Sequence, residues 1–348
     1  MKEKLLTKNR LLFIYGVMLY ALIQVLYTFG VLNNYFMQII EIALINIVLA
    51  ASLNIINGFT GQFSLGHGGF MAVGAYTAGV LTTLIWKLPQ MSFFPKYVLF
   101  IVAVILGGVM AAIIGILLGI PTLRLRGDYL AIVTLAFQEI VKVIINATDY
   151  VGGPRGLLGI PRLSTFPIIF FFSLASLFIM KNLVYSTVGR AMKSIREDEV
   201  ASELVGVNTT KYKVMAFAVG AFFAGIGGAL LVHILQLAHP TMFSFTSPSI
   251  AGPLSILTMV YIGGAGSLSG SIIAAVVLTV LSELLRLGID AINSLHFLPF
   301  AIGPEWRMVV YAVLLVVVML YRTEGIMGQR EFKILVPEEE EKNATGGA

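Results

Sequence analysis

Residues 186–213 read STVGRAMKSIREDEVASELVGVNTTKYK, the one long charged interruption in the second half of a chain that is otherwise strongly apolar. The stretch holds five basic residues, Arg190, Lys193, Arg196, Lys211 and Lys213, and four acids, Glu197, Asp198, Glu199 and Glu203. An apolar run ends just before it, near Lys181, and another starts just after it, near Val214. A segment of this kind must lie in water, and it is longer than a simple reversal of direction requires. It is therefore expected to touch something outside the apolar body.

Outward from that segment, composition fixes the class. Of 348 residues 58% are hydrophobic and only 12% charged, with mean hydropathy +0.92; soluble domains carry about 25% charged residues. Apolar runs fall at 11–32, 36–56, 66–86, 98–120, 128–146, 164–181, 213–236, 250–264, 267–287 and 306–321. A spanning helix needs about 20 mostly apolar residues, so the reading is an all-α polytopic membrane protein of about ten spans, with 250–264 short for a crossing. Three parts follow: a basic N-terminus at 1–10, a membrane body at 11–328, and a disordered tail at 329–348.

Charge sets the expected orientation. Lys2, Lys4, Lys8 and Arg10 place the N-terminus inside. If every run crosses, Arg124, Arg126, the 186–213 segment, Arg322 and Arg330 also fall inside, as the positive-inside rule requires. Lys87, Lys96, Arg155 and Arg162 fall outside against it. The absence of cysteine excludes disulfides and thiolate metal sites.

Polar and glycine-rich positions in the apolar runs are the candidate functional residues. Glu139 lies about 16 Å into its run, near mid-bilayer, with Lys142 three residues on and able to pair with it. A structural ion pair and a residue lining a pathway both remain open for it. Gly61, Gly66, Gly68 and Gly69, with His67 among them, and Gly263, Gly264 and Gly266 mark either close helix packing, the commoner case, or breaks lining a pathway. The echo between Gly61-x-x-Ser64-Leu65 and Gly264-x-x-Ser267-Leu268 is assigned to chance. Glu41 and the pair Glu283 and Arg286 fall near outer ends, where water reaches them. No His has a partner at metal-ligand spacing, and no metal site is expected. The motifs GxxxxGK[ST], HExxH and GxSxG are absent, so no enzymatic activity and no bound cofactor are expected.

Several blocks together resemble a known family. They are Asn57–Phe70 (NGFTGQFSLGHGGF), Arg124–Leu135 (RLRGDYLAIVTL), Gly152–Pro161 (GGPRGLLGIP), the charged segment with STVGR, IREDE and GVN, and Tyr261–Gly270 (YIGGAGSLSG). The chain is similar to permease subunits of ATP-binding-cassette importers for branched-chain amino acids, of bacteria and archaea, over roughly residues 41–328; urea importer permeases are close relatives. It departs from the pattern at Gln138, Val151 and Thr323, and the first two bear on substrate identity. The resemblance implies a type II importer bundle in the prokaryotic inner membrane, both termini cytoplasmic. It also implies a second homologous permease, two ATPase subunits that bind the ATP, and an extracytoplasmic binding protein. The 186–213 segment then corresponds to the coupling loop, with Arg190, Ile195, Arg196, Glu197, Asp198, Glu199, Ala201, Gly206 and Asn208 as its coupling residues. On a helix Met192, Ile195 and Glu199 share one stripe, which is expected to face an ATPase groove. An ion-gradient transporter using Glu139 is the competing class.

Overall fold

Inside hydrocarbon each backbone N–H and C=O must find its partner within its own segment, so long apolar runs fold as helices. A computed structural model of the chain describes residues 2–90, 92–122, 128–247, 249, 251–294, 303, 306–321, 324–328, 330–332 and 336. Its helices are α1 (Lys2–Thr28), α2 (Asn34–Asn54), α3 (His67–Val80), α4 (Phe93–Thr122), α5 (Asp128–Asn146), α6 (Phe166–Val184), α7 (Thr187–Glu197), α8 (Glu199–Leu204), α9 (Thr209–Leu235), α10 (Pro253–Gly263), α11 (Leu268–Ser294) and α12 (Trp306–Tyr321). Short π turns extend α2 through Phe59 and α3 through Ile85.

Each of the ten apolar runs coincides with one of these helices. Seven of them, α2 to α6, α9 and α11, are long and apolar enough to cross a membrane, while α10 and Ile14–Thr28 of α1 are shorter apolar helices. The protein is an all-α polytopic membrane protein. Among the described residues the only strands are β1 (Leu157–Leu158) and β2 (Leu237–Ala238), a two-residue antiparallel ladder. Residues 2–10, expected as a separate N-terminal segment, continue helix α1.

The centre of the bundle is α9, which packs along α2, α3 and α4. Glycine makes this possible. A methyl group on Gly74 of α3 would fall 2.6 Å from the carbonyl carbon of Gly225 in α9, and one on Gly107 of α4 would fall 2.7 Å from the Gly74 carbonyl oxygen. Three backbones thus meet with nothing between them, as small residues permit. The outward face of α4 leaves Ile105, Val109, Ile113 and Leu117 exposed, as a lipid-facing helix does. Helix α1 is peripheral and attaches to α6 through Tyr20, stacked on Phe166 at 5.6 Å.

Candidate functional site

Helix continuity fails at three places, and they lie close together. After its π turn, α2 gives way to the non-helical residues 60–66, and α3 starts only at His67. Asn57 organises this loop, donating to the Ser64 carbonyl and accepting from the Ser64 amide, each at 3.2 Å. Two side chains of α5 hold the start of α3: Thr134 Oγ accepts from Leu65 N at 3.0 Å, and Gln138 Oε1 accepts from Gly68 N at 3.1 Å. Gly68 also sits against the beginning of α10, where a methyl group would fall 2.5 Å from the Phe243 carbonyl oxygen and run into the Pro253 ring.

Helices α3 and α10 therefore begin side by side, level with Gln138, about 15 Å along α5 from Asp128. With 11 residues, α10 rises only about 16 Å, half of a bilayer core. Irregular backbone at such depth persists only beside protein or a cavity. Gly66 presses on the Thr134 carbonyl and Gly69 on the Phe137 ring, so the two readings of the glycines divide by position. Gly61 to Gly69 belong to a break, and Gly74 to helix packing. The break keeps unused hydrogen-bonding capacity: among the described residues His67 Nδ1 and Gln138 Nε2 are buried with no hydrogen-bond partner, although His67 Nε2 lies 3.1 Å from Ser52 Oγ.

The third interruption joins α10 to α11. Gly264 and Gly266 take φ of +119° and +93°, values that suit glycine, and Gly263 is packed against Gly270. Asn54 of α2 fastens this loop, donating to the Ser267 carbonyl at 2.8 Å and accepting from Gly266 N at 2.8 Å. Arg196 at the end of α7 lies flush against both Gly61 and Gly266, and its guanidinium donates to the Gly58 carbonyl at 3.1 Å. The two Gly-x-x-Ser-Leu loops, whose likeness was assigned to chance, thus meet at one arginine.

Residues beyond α12 close over the same place. Ile326 N and Met327 N donate to the carbonyls of Ile262 and Gly263 at 2.7 and 3.1 Å. Glu331 caps α11 by accepting from Leu268 N at 2.5 Å, from Ser269 N at 2.8 Å and from the Ser269 hydroxyl. Burial pushes the Glu331 carboxyl above the usual carboxylate range, against the lowering effect of these donors and of Lys193. The expectation of a disordered tail from residue 329 is corrected for 330–332, because an uncapped helix start supplies donors for Glu331 to satisfy.

The charged segment needs a larger correction. Met192 and Ile195 are buried, so the apolar stripe of α7 faces this chain's own bundle and not an outside groove. Glu199 does not project outward either. It pairs at 2.7 Å with Lys213 in the first turns of α9, and the Lys213 side chain is only 2% exposed. Asp198 and Asn208 act as N-caps, accepting from Ala201 N and Lys211 N, and Gly206, with φ +88°, ends α8. Arg190, Glu197 and Ala201 remain exposed beside Val200, Leu204 and Val205, the last two at 83% and 80%. Periodicity does not single out Val200 or Val205, because a helix of six residues has no repeat to show.

The remaining polar residues divide cleanly. Lys142 Nζ donates to Glu139 at 2.8 Å. Glu41, expected in contact with water, has a buried carboxylate 3.7 Å from Arg162 of the loop that precedes α6. Glu283 and Arg286 pair as expected and are joined by Tyr35, but Glu283 is buried and only Arg286 is open to water. His233 is buried between Thr82 and the Ala229 carbonyl. Among the described residues no three His, Asp or Glu side chains are grouped to hold a metal. Arg124, Arg126, His296, Arg322, Thr323 and most of 333–348 lie outside the described residues.

No solved structure matches the chain. It is 33% identical to the high-affinity branched-chain amino acid transport system permease protein LivM of Escherichia coli K12, over 83% of this chain and 69% of that protein. It is 23% identical to a probable branched-chain amino acid transport permease protein LivM of Methanocaldococcus jannaschii, over 77% and 78%. The LivH permease protein of Salmonella typhimurium is 28% identical over 42% of each chain. The family model described as branched-chain amino acid transport system, permease component, matches residues 35–319. By that match and by its identity to the Escherichia coli LivM permease protein, the chain belongs to that permease family.

Proposed function

We propose that this chain is a permease subunit of an ATP-binding-cassette importer that carries leucine, isoleucine and valine into the cytoplasm of a prokaryote. Its partners are a second homologous permease, two ATPase subunits that bind and hydrolyse the ATP, and an extracytoplasmic binding protein. The chain itself is not an enzyme and holds no cofactor. Both termini and the α7–α8 turn lie on the cytoplasmic side of the inner membrane, the side the clustered basic residues favour.

The observation that carries this reading is the exposed Val200, Leu204 and Val205 on a turn that is otherwise charged. Three apolar side chains grouped on a water-facing turn mark a protein contact. The turn is also rigidly tied to the bundle, by Glu199 to Lys213 and by Arg196 to the Gly58 carbonyl. A push on α8 is thereby passed to the loop at 58–66 and to the start of α11. The former coupling residues Ile195, Arg196 and Glu199 act in this reading as the transmission, and α8 as the contact.

Vesicles containing both permeases, the ATPases and the binding protein test the proposal. Uptake of leucine that requires internal ATP is expected, and uptake by this chain alone under a proton gradient would establish the ion-coupled class instead. The double variant Leu204→Ser with Val205→Ser is expected to reduce co-purification with the ATPase subunits by about tenfold or more. Its thermal stability should match the parent, since both side chains are exposed.

A further inference from the structure

On the open side of α5 three polar side chains satisfy one another. Lys142 Nζ donates to Glu139 Oε2 at 2.8 Å and to Ser244 Oγ at 3.3 Å, and Ser244 Oγ donates to Glu139 Oε1 at 3.2 Å. The Glu139 and Lys142 side chains are 43% and 28% exposed. Ser244 belongs to the irregular segment that follows α9 and leads down to the half-length α10. The cluster lies about 16 to 21 Å along α5, deep in the bilayer.

Three features of this cluster point to a ligand. Half-open charges at that depth are not tolerated against lipid chains. Glu139 and Lys142, at the edge of an exposed α5 face that otherwise carries Ile132, Ile140, Val143 and Ile144, must therefore front water or a polar group. The bonds within the triad use two of the three Lys142 donors and one acceptor site on each Glu139 oxygen, so it keeps capacity for a further polar group. Ser244 is placed there by non-helical backbone, which survives at depth beside a cavity or protein, and such segments hold substrate sites where helices are interrupted.

We propose that Glu139, Lys142 and Ser244 form a way-station for the charged backbone of an amino acid in transit. The substrate ammonium takes the place of Lys142 on Glu139, and the substrate carboxylate accepts from Lys142 and from the Ser244 hydroxyl, whose proton rotates away from Glu139. One ion pair becomes two, no proton is transferred and the net charge of the site is unchanged. A zwitterion matches both ends of the opened pair, whereas a neutral molecule such as urea leaves both charges unmatched. Glu139 is then a substrate contact of the importer and not a carrier of protons. This rests on the importer reading above, and the test separates the two.

The complete importer is reconstituted in vesicles with the double variant Glu139→Gln with Lys142→Gln, which keeps side-chain length and hydrogen bonding but removes both charges. Leucine uptake is expected to fall by about tenfold or more, the loss of charge-assisted contacts, with the melting temperature of the purified permease little changed. Uptake at the parental rate overturns the way-station. Should the variant fold poorly, the parental importer is irradiated with a diazirine analogue of leucine during ATP-driven uptake, and adducts are mapped by mass spectrometry. Adducts on peptides containing 139–143 or 242–245 are expected, and labelling confined elsewhere overturns the proposal. A parental importer that moves no amino acid refutes the importer reading itself, a result distinct from parental uptake that the variant leaves intact.

Discussion

Replacing Glu199 by glutamine removes the partner of a lysine that has nowhere to go. Lys213 is 2% exposed and its ammonium lies 2.7 Å from the Glu199 carboxylate. Deleting one member of a buried pair costs about 3–5 kcal/mol, because the other charge stays buried. Glu199 is itself a quarter exposed, which lets water relieve part of the loss and sets the expectation at the low end, about 3 kcal/mol. That corresponds to about a 150-fold shift in the equilibrium holding α8 against α9. Combining Glu199→Gln with Lys213→Met removes both charges and should recover most of the stability, since a buried pair can be replaced by neutral groups at little cost. Unfolding of the four proteins in detergent gives the double-mutant cycle, and amide exchange at 198–206 localises the effect. A coupling energy below about 1 kcal/mol, the worth of an exposed pair, would refute the buried geometry. The charge-reversed pair Glu199→Lys with Lys213→Glu then separates anchoring from partner contact. Recovery of both stability and transport identifies Glu199 as an internal anchor, and recovery of stability alone identifies it as a contact to an ATPase subunit.

Gly74→Ala is expected to destabilise the bundle by about 1–3 kcal/mol, because its methyl group meets backbone of Gly225 and the helices must separate. Gly69→Ala should cost less, since its nearest neighbour is the Phe137 ring edge, which can turn; equal losses in thermal unfolding would contradict this difference. The attachment of 330–332 should depend on pH through Glu331, whose carboxyl is raised above its ordinary value of 4.5 by burial. A raised acid binds its proton more tightly when docked, so the contribution is complete below the undocked value and is lost as pH rises through the docked one. Exchange at these amides, corrected for intrinsic rates, should slow on acidification, and Glu331→Gln should flatten the dependence; faster exchange at low pH would refute the assignment.

The spans were legible because hydrophobic length is a property of consecutive residues, and the bilayer sets one length for all of them. Even the shortness of α10 was visible in the 250–264 run. What connects the spans was not legible, because it depends on residues far apart in sequence. The stripe of Met192, Ile195 and Glu199 reads as partly apolar and is expected to face an ATPase groove, whereas Met192 and Ile195 are buried on this chain's own spans. A water-side helix joined by a few residues to two spans buries its apolar face on those spans first. Glu199 reads as part of the same outward stripe for the same reason, since its partner Lys213 lies across a turn and two caps. The glycines carried two meanings that spacing could not separate, and only the neighbours of Gly68 and Gly74 tell a break from a packing contact.

Arg196 shows how these misreadings share one cause. In sequence it is one basic residue among five in a charged stretch, named as a coupling residue by resemblance and not by anything its spacing shows. In the fold it reaches the Gly58 carbonyl while lying against Gly61 and Gly266, and Asn54 bonds the second of these loops from below. The first loop leads to α3, whose start is held by Gln138 of α5, the residue next to Glu139. The second leads to α11, whose start is capped by Glu331. A displacement of α7 by the length of one hydrogen bond would therefore be felt at both broken helices, because no flexible side chain intervenes between the arginine and either backbone. Coupling of this kind needs glycine where the arginine touches, since a side chain at Gly61 would run into the Arg196 backbone and stem, and one at Gly266 into its guanidinium.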